Sequence, residues 1–251
     1  MNFKFSIIII VTGLLLIGCS TSKMTVTEAT SVKIALDSST EPLADTVMKK
    51  LIAPYKVTLE AEMNEVIGQA VQDMKGHRPE SLLSNFSADV YLQTAAEHLN
   101  RKVDIAIVNM GGLRSQLSQG DITVGNVFEL MPFENELVVV WLRGNELMEL
   151  LHTFARLGGE GVTGLKMGID NAKAIDVTIG GEPIQMDSTY AIATNDYLAE
   201  GNDQMVQLAR FDLKVNTGIK IRDMLIEYIR KETAAGRQID AQLEGRIYIK
   251  E

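Results

Sequence analysis

Short apolar runs that suit strands alternate with amphipathic stretches that suit helices through most of the chain, and this alternation restricts the fold more than any other feature. Val103–Val108 and the valine-rich Leu137–Leu142 read as buried strands, with Tyr190–Thr194 and Arg246–Ile249 as two more. Leu82, Leu83, Phe86, Val90 and Ala95 fall on one face of a helix over Leu82–Leu99, with Ser81 placed to cap it. Leu147, Leu150, Leu151 and Phe154 do the same over Asn145–Leu157, where Gly158-Gly159 stops the helix. Ile221, Leu225, Tyr228 and Ile229 mark a third helix over Ile219–Lys231. Tyr55–Ile67 alternates loosely and leans towards a strand. Ile175–Ile179, Gly180-Gly181 and Glu182–Gln185 form a hairpin pattern. Hairpins mixed with helices predict an α+β (mixed α/β) fold, mixed β-sheets layered with helices, rather than a doubly wound parallel sheet.

The N-terminus reads as an address. Lys4 precedes the apolar run Phe5–Ile17, too short for a membrane span, which needs about 20 residues, but normal for a signal peptide. The run ends in Leu16-Ile17-Gly18-Cys19, which resembles a bacterial lipobox, and Cys19 is the sole cysteine among 251 residues. Residues 1–18 are therefore expected to be a lipoprotein signal peptide and Cys19 the lipidation site, with acyl chains holding the protein on a bilayer. Residues 19–32, rich in Ser and Thr over Ser20–Thr30, are expected to be a tether, and 33–251 one domain of roughly 215 residues. The expected location is an exported, membrane-anchored lipoprotein of the periplasm or cell surface of a bacterium.

Other classes are closed off by counting. One cysteine excludes a disulfide framework and a cysteine-rich metal site, and three histidines leave little for a metal centre. A net charge of −9 argues against nucleic acid as a partner. His77, His98 and His152 have no second histidine or carboxylate at ligand spacing, and read as a loop, an exposed helix face and a helix flank.

Three segments carry chemistry. Asn109-Met110-Gly111-Gly112-Leu113-Arg114 follows a strand; its glycines permit a sharp turn, Asn109 offers donors and an acceptor, and Arg114 a planar fork for phosphate or carboxylate. The spacing does not match GxGxxG, and Gln116–Thr123 shows no helical period, so a dinucleotide fold is set aside. Met131-Pro132-Phe133-Glu134-Asn135 places an aromatic at a strand entrance, where a flat ligand can stack. Thr194-Asn195-Asp196-Tyr197-Leu198-Ala199-Glu200-Gly201-Asn202-Asp203 offers a second ring and, six positions on, a carboxylate. Singly, each reads equally well as a turn, a core phenylalanine and a solvated loop.

In order, however, Asn-x-Gly-Gly-x-Arg, Gly120-Asp121-Ile122-Thr123, Pro-Phe-x-Asn, Leu142-Arg143-Gly144-Asn145-Glu146-Leu147, a Gly161-Val162-Thr163-Gly164 turn and Thr-Asn-Asp-Tyr-Leu-Ala-x-Gly-x-Asp resemble the C-terminal, nucleotide-recognition domain of the 5′-nucleotidases, from about Glu62 to Ile249. The resemblance implies that Asn109 and Gly111 approach the base or ribose, and that Arg114 engages the phosphate or ribose side. It implies that Phe133 and Tyr197 sandwich the base and that Asp203 binds the ribose hydroxyls, with Asn135 counted as substrate-binding beside them. Tyr197 stands where phenylalanine is usual, Glu134 where glycine is usual, and Gly201-Asn202-Asp203-Gln204 where Gly-Gly-Asp-Gly is usual. The family's metallophosphatase motifs do not occur in the sequence, so no catalytic residue, metal ligand or cofactor is expected on this chain; a divalent metal pair is expected on a partner phosphatase. The function implied is recognition of a nucleotide or nucleoside, acting with a separately encoded dimetal phosphatase chain in nucleotide hydrolysis. The alternative is a non-catalytic nucleoside- or nucleotide-binding surface lipoprotein.

Overall fold

The computed structural model describes residues 25–35, 37, 39, 40, 42 and 45–250; the leader and Cys19 lie outside them. Packing divides the chain into Met1–Ile52 and Ala53–Glu251. Residues 25–35 are exposed and carry no helix or strand. Helix α1 (Thr46–Met63) corrects the strand expected from Tyr55–Ile67. Ala53, Lys56, Leu59, Glu60, Ala61 and Met63 are strong helix formers, whereas the alternating Tyr55, Val57 and Leu59 are all exposed and therefore bury no strand face. Only Val66–Ala70 at the end of that stretch is extended, as β1.

Many of the remaining elements follow the alternation in the sequence, but Gly161–Thr163, read there as a turn, is a fully buried strand paired with Ala106–Val108. The remaining elements are α2 (Leu82–Leu99), β2 (Ile105–Val108), β3 (Gly120–Thr123), α3 (Val124–Leu130), β4 (Glu136–Arg143), α4 (Gly144–Leu157), β5 (Gly161–Thr163), β6 (Leu165–Asp170), β7 (Lys173–Ile179), β8 (Glu182–Pro183), β9 (Thr189–Asn195), α5 (Asp196–Ala199), β10 (Leu213–Lys220), α6 (Ile221–Ala234) and β11 (Ile247–Ile249). Ser81 caps α2 and shares a reciprocal hydrogen-bonded box with Ser84. Gly158 ends α4 in a left-handed conformation, where its N–H finds the carbonyls of the last turn.

A five-stranded mixed sheet, ordered β10-β4-β9-β2-β5, forms the centre. A four-stranded sheet (β11-β6-β7-β8) and the antiparallel pair β1-β3 lie outside it. The apolar runs of the central strands are explained by burial on both faces. Alternate residues Ala106, Val108, Leu137, Val139, Ala191 and Ala193 pack with α2, α3 and α6. Their neighbours Ile105, Ile107, Val138, Val140, Leu142 and Ile192 pack with α4 and the four-stranded sheet. A slip of one residue in any of these strands exchanges its two faces between the two cores.

Between β5 and β6 the chain must pass from one sheet to the other in one residue. Gly164 does this at φ +80°, where a Cβ would sit 2.1 Å from the Asp104 carbonyl oxygen. Gly164→Ala is expected to cost about 2 kcal/mol or more, from left-handed strain and backbone overlap together. Urea denaturation checks this, and an unchanged midpoint would contradict the packing described.

Candidate functional site

Strand direction brings the three distant segments together. β2 and β9 are parallel neighbours, so their C-terminal ends emerge on the same edge of the sheet. β4 runs antiparallel to β9, with Leu137 opposite Asn195, so its entrance lies at that edge too. The chain leaving β2 supplies Asn109–Arg114, the chain entering β4 supplies Phe133 and Asn135, and the chain leaving β9 supplies Tyr197 and Asp203. A cavity of about 310 Å³ lies among them, lined by all seven residues expected from the sequence: Asn109, Gly111, Arg114, Phe133, Asn135, Tyr197 and Asp203. Tyr91 of α2, Gly112, Met131, Asn195 and Ile221 complete its wall.

The two rings lie open to solvent, Phe133 at 44% and Tyr197 at 41% exposure. Among the described residues neither pairs with another ring; the one such pair is Phe86 with Tyr228. Large exposed aromatic faces on a concave wall are where a flat ligand gains most from stacking.

A polar network fixes the opposite side. Asn109, 6% exposed, donates from Nδ2 to Asp203 Oδ2 at 2.6 Å. The Tyr197 hydroxyl donates to Asp203 Oδ1 at 3.0 Å, and this contact pushes the phenol above its ordinary value. Asn195 caps α5 through Leu198 N–H at 2.8 Å and reaches Asn109 Oδ1 at 3.4 Å. Asn135 donates to Asp196 Oδ1 at 2.8 Å, tying the entrance of β4 to the start of α5. Gly112 rather than Gly111 is the glycine that the asparagine requires: a Cβ there would lie 2.8 Å from Asn109 Oδ1, whereas at Gly111 the nearest atom would be Asp203 Oδ2 at 3.6 Å. Asp203 and Gln204 both take positive φ, +51° and +67°, at roughly 1–2 kcal/mol of left-handed strain each.

Charge is distributed unevenly around the cavity. The Arg114 side chain makes one hydrogen bond, from Nη1 to the Gly111 carbonyl at 3.3 Å, and no ion pair among the described residues. Its guanidinium is thus the cation available to an anionic group. Glu134 is bound by Arg222, which holds its carboxyl below the usual range, so its charge is matched on the spot. Arg78 is engaged behind the loop, hydrogen-bonded to Glu160 and through Nε to the Gly159 carbonyl at 2.7 Å.

Glu160 and Tyr91 are absent from the sequence reading. Glu160, 4% exposed, accepts Met110 N–H at 2.6 Å as well as the Arg78 guanidinium, and so pins the Asn109 loop from inside. Burial pushes its carboxyl up, while those two donors pull it down. An acid beside Gly158-Gly159 gives no local hint of a partner 50 residues away. Tyr91 looks like one more apolar member of the α2 face. Burial pushes its phenol far above its ordinary value, and its hydroxyl has no well-formed hydrogen bond among the described residues.

The histidines do not join the site. His152 Nδ1 accepts Ala174 N–H at 3.0 Å, and His77 and His98 are exposed. Among the described residues no three His, Cys, Asp or Glu side chains are grouped so as to hold a metal ion, so the residues present do not fit a dimetal centre.

Comparison with known proteins agrees with this architecture. The family model for the 5′-nucleotidase C-terminal domain matches residues 62–210. A 5′-nucleotidase of Vibrio vulnificus is 26% identical over 224 residues, which is 87% of this chain and 40% of that protein. A cell wall protein of Listeria monocytogenes is 30% identical, over 76% of this chain and 28% of its own length. The crystal structure of a 5′-nucleotidase precursor from Thermus thermophilus superposes with a TM-score of 0.70 at 29% identity, covering 81% of this chain and 43% of that one. This chain thus spans less than half the length of these relatives, and it belongs to the 5′-nucleotidase C-terminal domain family.

Removing Glu160 leaves Met110 N–H without its acceptor and the Arg78 guanidinium with only the Gly159 carbonyl. Glu160→Ala is expected to lower stability by about 1–3 kcal/mol, read as a shift of the urea midpoint. A midpoint equal to that of the parent chain would show that the loop does not depend on this carboxylate.

Proposed function

We propose that this 5′-nucleotidase C-terminal domain is a recognition module for a nucleotide or nucleoside. The observation that carries the reading is one cavity that holds two exposed rings, a carboxylate and an arginine with no ion pair among the described residues. The base stacks between Phe133 and Tyr197, a contact tolerant of base identity because any base has a π face. Asp203 accepts hydrogen bonds from the ribose hydroxyls, and Asn109 and Asn135 stand beside it with polar groups at the rim. Arg114 meets the phosphate or the ribose edge, and a fork of five N–H donors suits either.

In this reading hydrolysis is carried out by a separately encoded phosphatase chain that contributes the divalent metal pair. Two-metal phosphate chemistry requires clustered ligands holding ions about 3.5–4 Å apart, and the described residues offer no such cluster. That one relative is a 5′-nucleotidase and another a cell wall protein supports a nucleotide ligand and a location outside the cytoplasm. No helix among the described residues is long and apolar enough to cross a membrane. Anchoring is assigned instead to lipid on Cys19 after cleavage of the leader.

The test is calorimetric titration of the chain with adenosine and AMP. Phe133→Ala combined with Tyr197→Ala should weaken both ligands by about 1–3 kcal/mol per ring, measured where circular dichroism shows the variant folded. Affinity equal to that of the parent chain would place the site elsewhere. Phosphate release from AMP by this chain alone, with zinc, manganese or magnesium added, would contradict the assignment of catalysis to a partner.

A further inference from the structure

We infer that the Tyr197 hydroxyl is a positioning group that holds Asp203 in the orientation needed to accept a ligand's vicinal hydroxyls, so that discrimination for a cis-diol depends on this phenol. The inference rests on the nucleoside reading for its ligand, but the contact itself exists in the chain without one.

Three observations converge on it. The loop carrying Asp203 has two successive non-glycine residues at positive φ, Asp203 and Gln204, where the resemblance leads one to expect glycine around the aspartate. A backbone so strained keeps its form only if neighbours over-determine it. The neighbours are identifiable: Tyr197 Oη on Asp203 Oδ1 at 3.0 Å, Asn109 Nδ2 on Asp203 Oδ2 at 2.6 Å, and Asn202 Nδ2 on the Tyr197 carbonyl at 2.8 Å. Tyr197 is itself fixed at the start of α5, with its N–H on Asp196 Oδ1 at 2.8 Å beside the Asn195 cap.

Each carboxylate oxygen therefore gives one acceptor position to the protein. A carboxylate has about four such positions, so each oxygen keeps one for a ligand, and two adjacent acceptors match two adjacent hydroxyls. A phenylalanine at position 197 would supply the same stacking face but no donor for Oδ1. Asp203 would then be held through Oδ2 alone and could turn about its Cβ–Cγ bond. The phenol thus supplies one of the contacts that hold the left-handed backbone at Asp203 and Gln204, a conformation that Gln204 adopts without the freedom of the usual glycine. The contact with Asp203 keeps the phenol protonated, and so donating, above the ordinary tyrosine range.

Tyr197→Phe isolates the hydroxyl, because the ring remains. Calorimetry with adenosine and 2′,3′-dideoxyadenosine should show adenosine affinity falling about tenfold, as expected for one hydrogen bond to a charged group, with dideoxyadenosine affinity unchanged. Equal losses for both ligands, or adenosine binding that stays the same or tightens, would overturn the inference. A second measurement needs no ligand. With 13C-labelled tyrosine, the Tyr197 phenol should titrate above ordinary tyrosine and return to the ordinary range in Asp203→Asn. Titration of Tyr197 like free tyrosine in the parent chain would remove the contact outright. If the parent chain binds neither nucleoside, the reading under Proposed function fails, and the phenol titration still decides whether the hydroxyl holds Asp203.

Discussion

The pairing of β9 with a parallel neighbour on one side and an antiparallel one on the other is the constraint on which the site depends. It places two strand exits and one strand entrance on one edge of the central sheet. The register has no freedom to drift, because β2, β4 and β9 are apolar on both faces and each face is packed in a separate core. Residues 109, 135 and 197, far apart in sequence, are thereby held around one cavity by hydrophobic burial some distance beneath it. Loops then vary on a rigid base, a common arrangement for binding sites.

Above that base, polar contacts set the details. Glu160 holds the Asn109 loop from inside, Asn109 and Tyr197 hold Asp203, and Asn135 holds the start of α5. Two carboxylates near the cavity are matched in charge, Glu160 by Arg78 and Glu134 by Arg222, while Asp203 and Asp196 accept from neutral donors. Arg114 is left as the local cation. A net negative protein can in this way present a site suited to an anionic or polar ligand.

Strands β2, β4 and β9 and the helices α2, α4 and α6 were legible in the sequence because their burial leaves apolar runs and helical periods in it, whereas the three buried residues of β5 are too few to write one. Tyr55–Ile67 misled for the converse reason: its alternation buries nothing, and helix propensity decides its conformation. At the site, the rings and Asp203 became legible only as an ordered set of motifs, since each segment alone fits an ordinary turn. Glu160 and Tyr91 left no trace, one because its partners lie across the fold, the other because a tyrosine on an apolar helix face looks like core. The Tyr197–Asp203 contact could not be read either, since six residues of separation say nothing about geometry until Asp203 and Gln204 take left-handed backbone.

The central claim is that the edge formed by β2, β4 and β9 binds a nucleoside. Its most direct test is two-dimensional 1H–15N NMR of the chain titrated with adenosine. The account predicts saturable shifts confined to the side-chain amides of Asn109 and Asn135 and the backbone amides of Gly111, Tyr197 and Asp203. An unchanged spectrum at millimolar adenosine, or shifts confined to another face of the molecule, would contradict it.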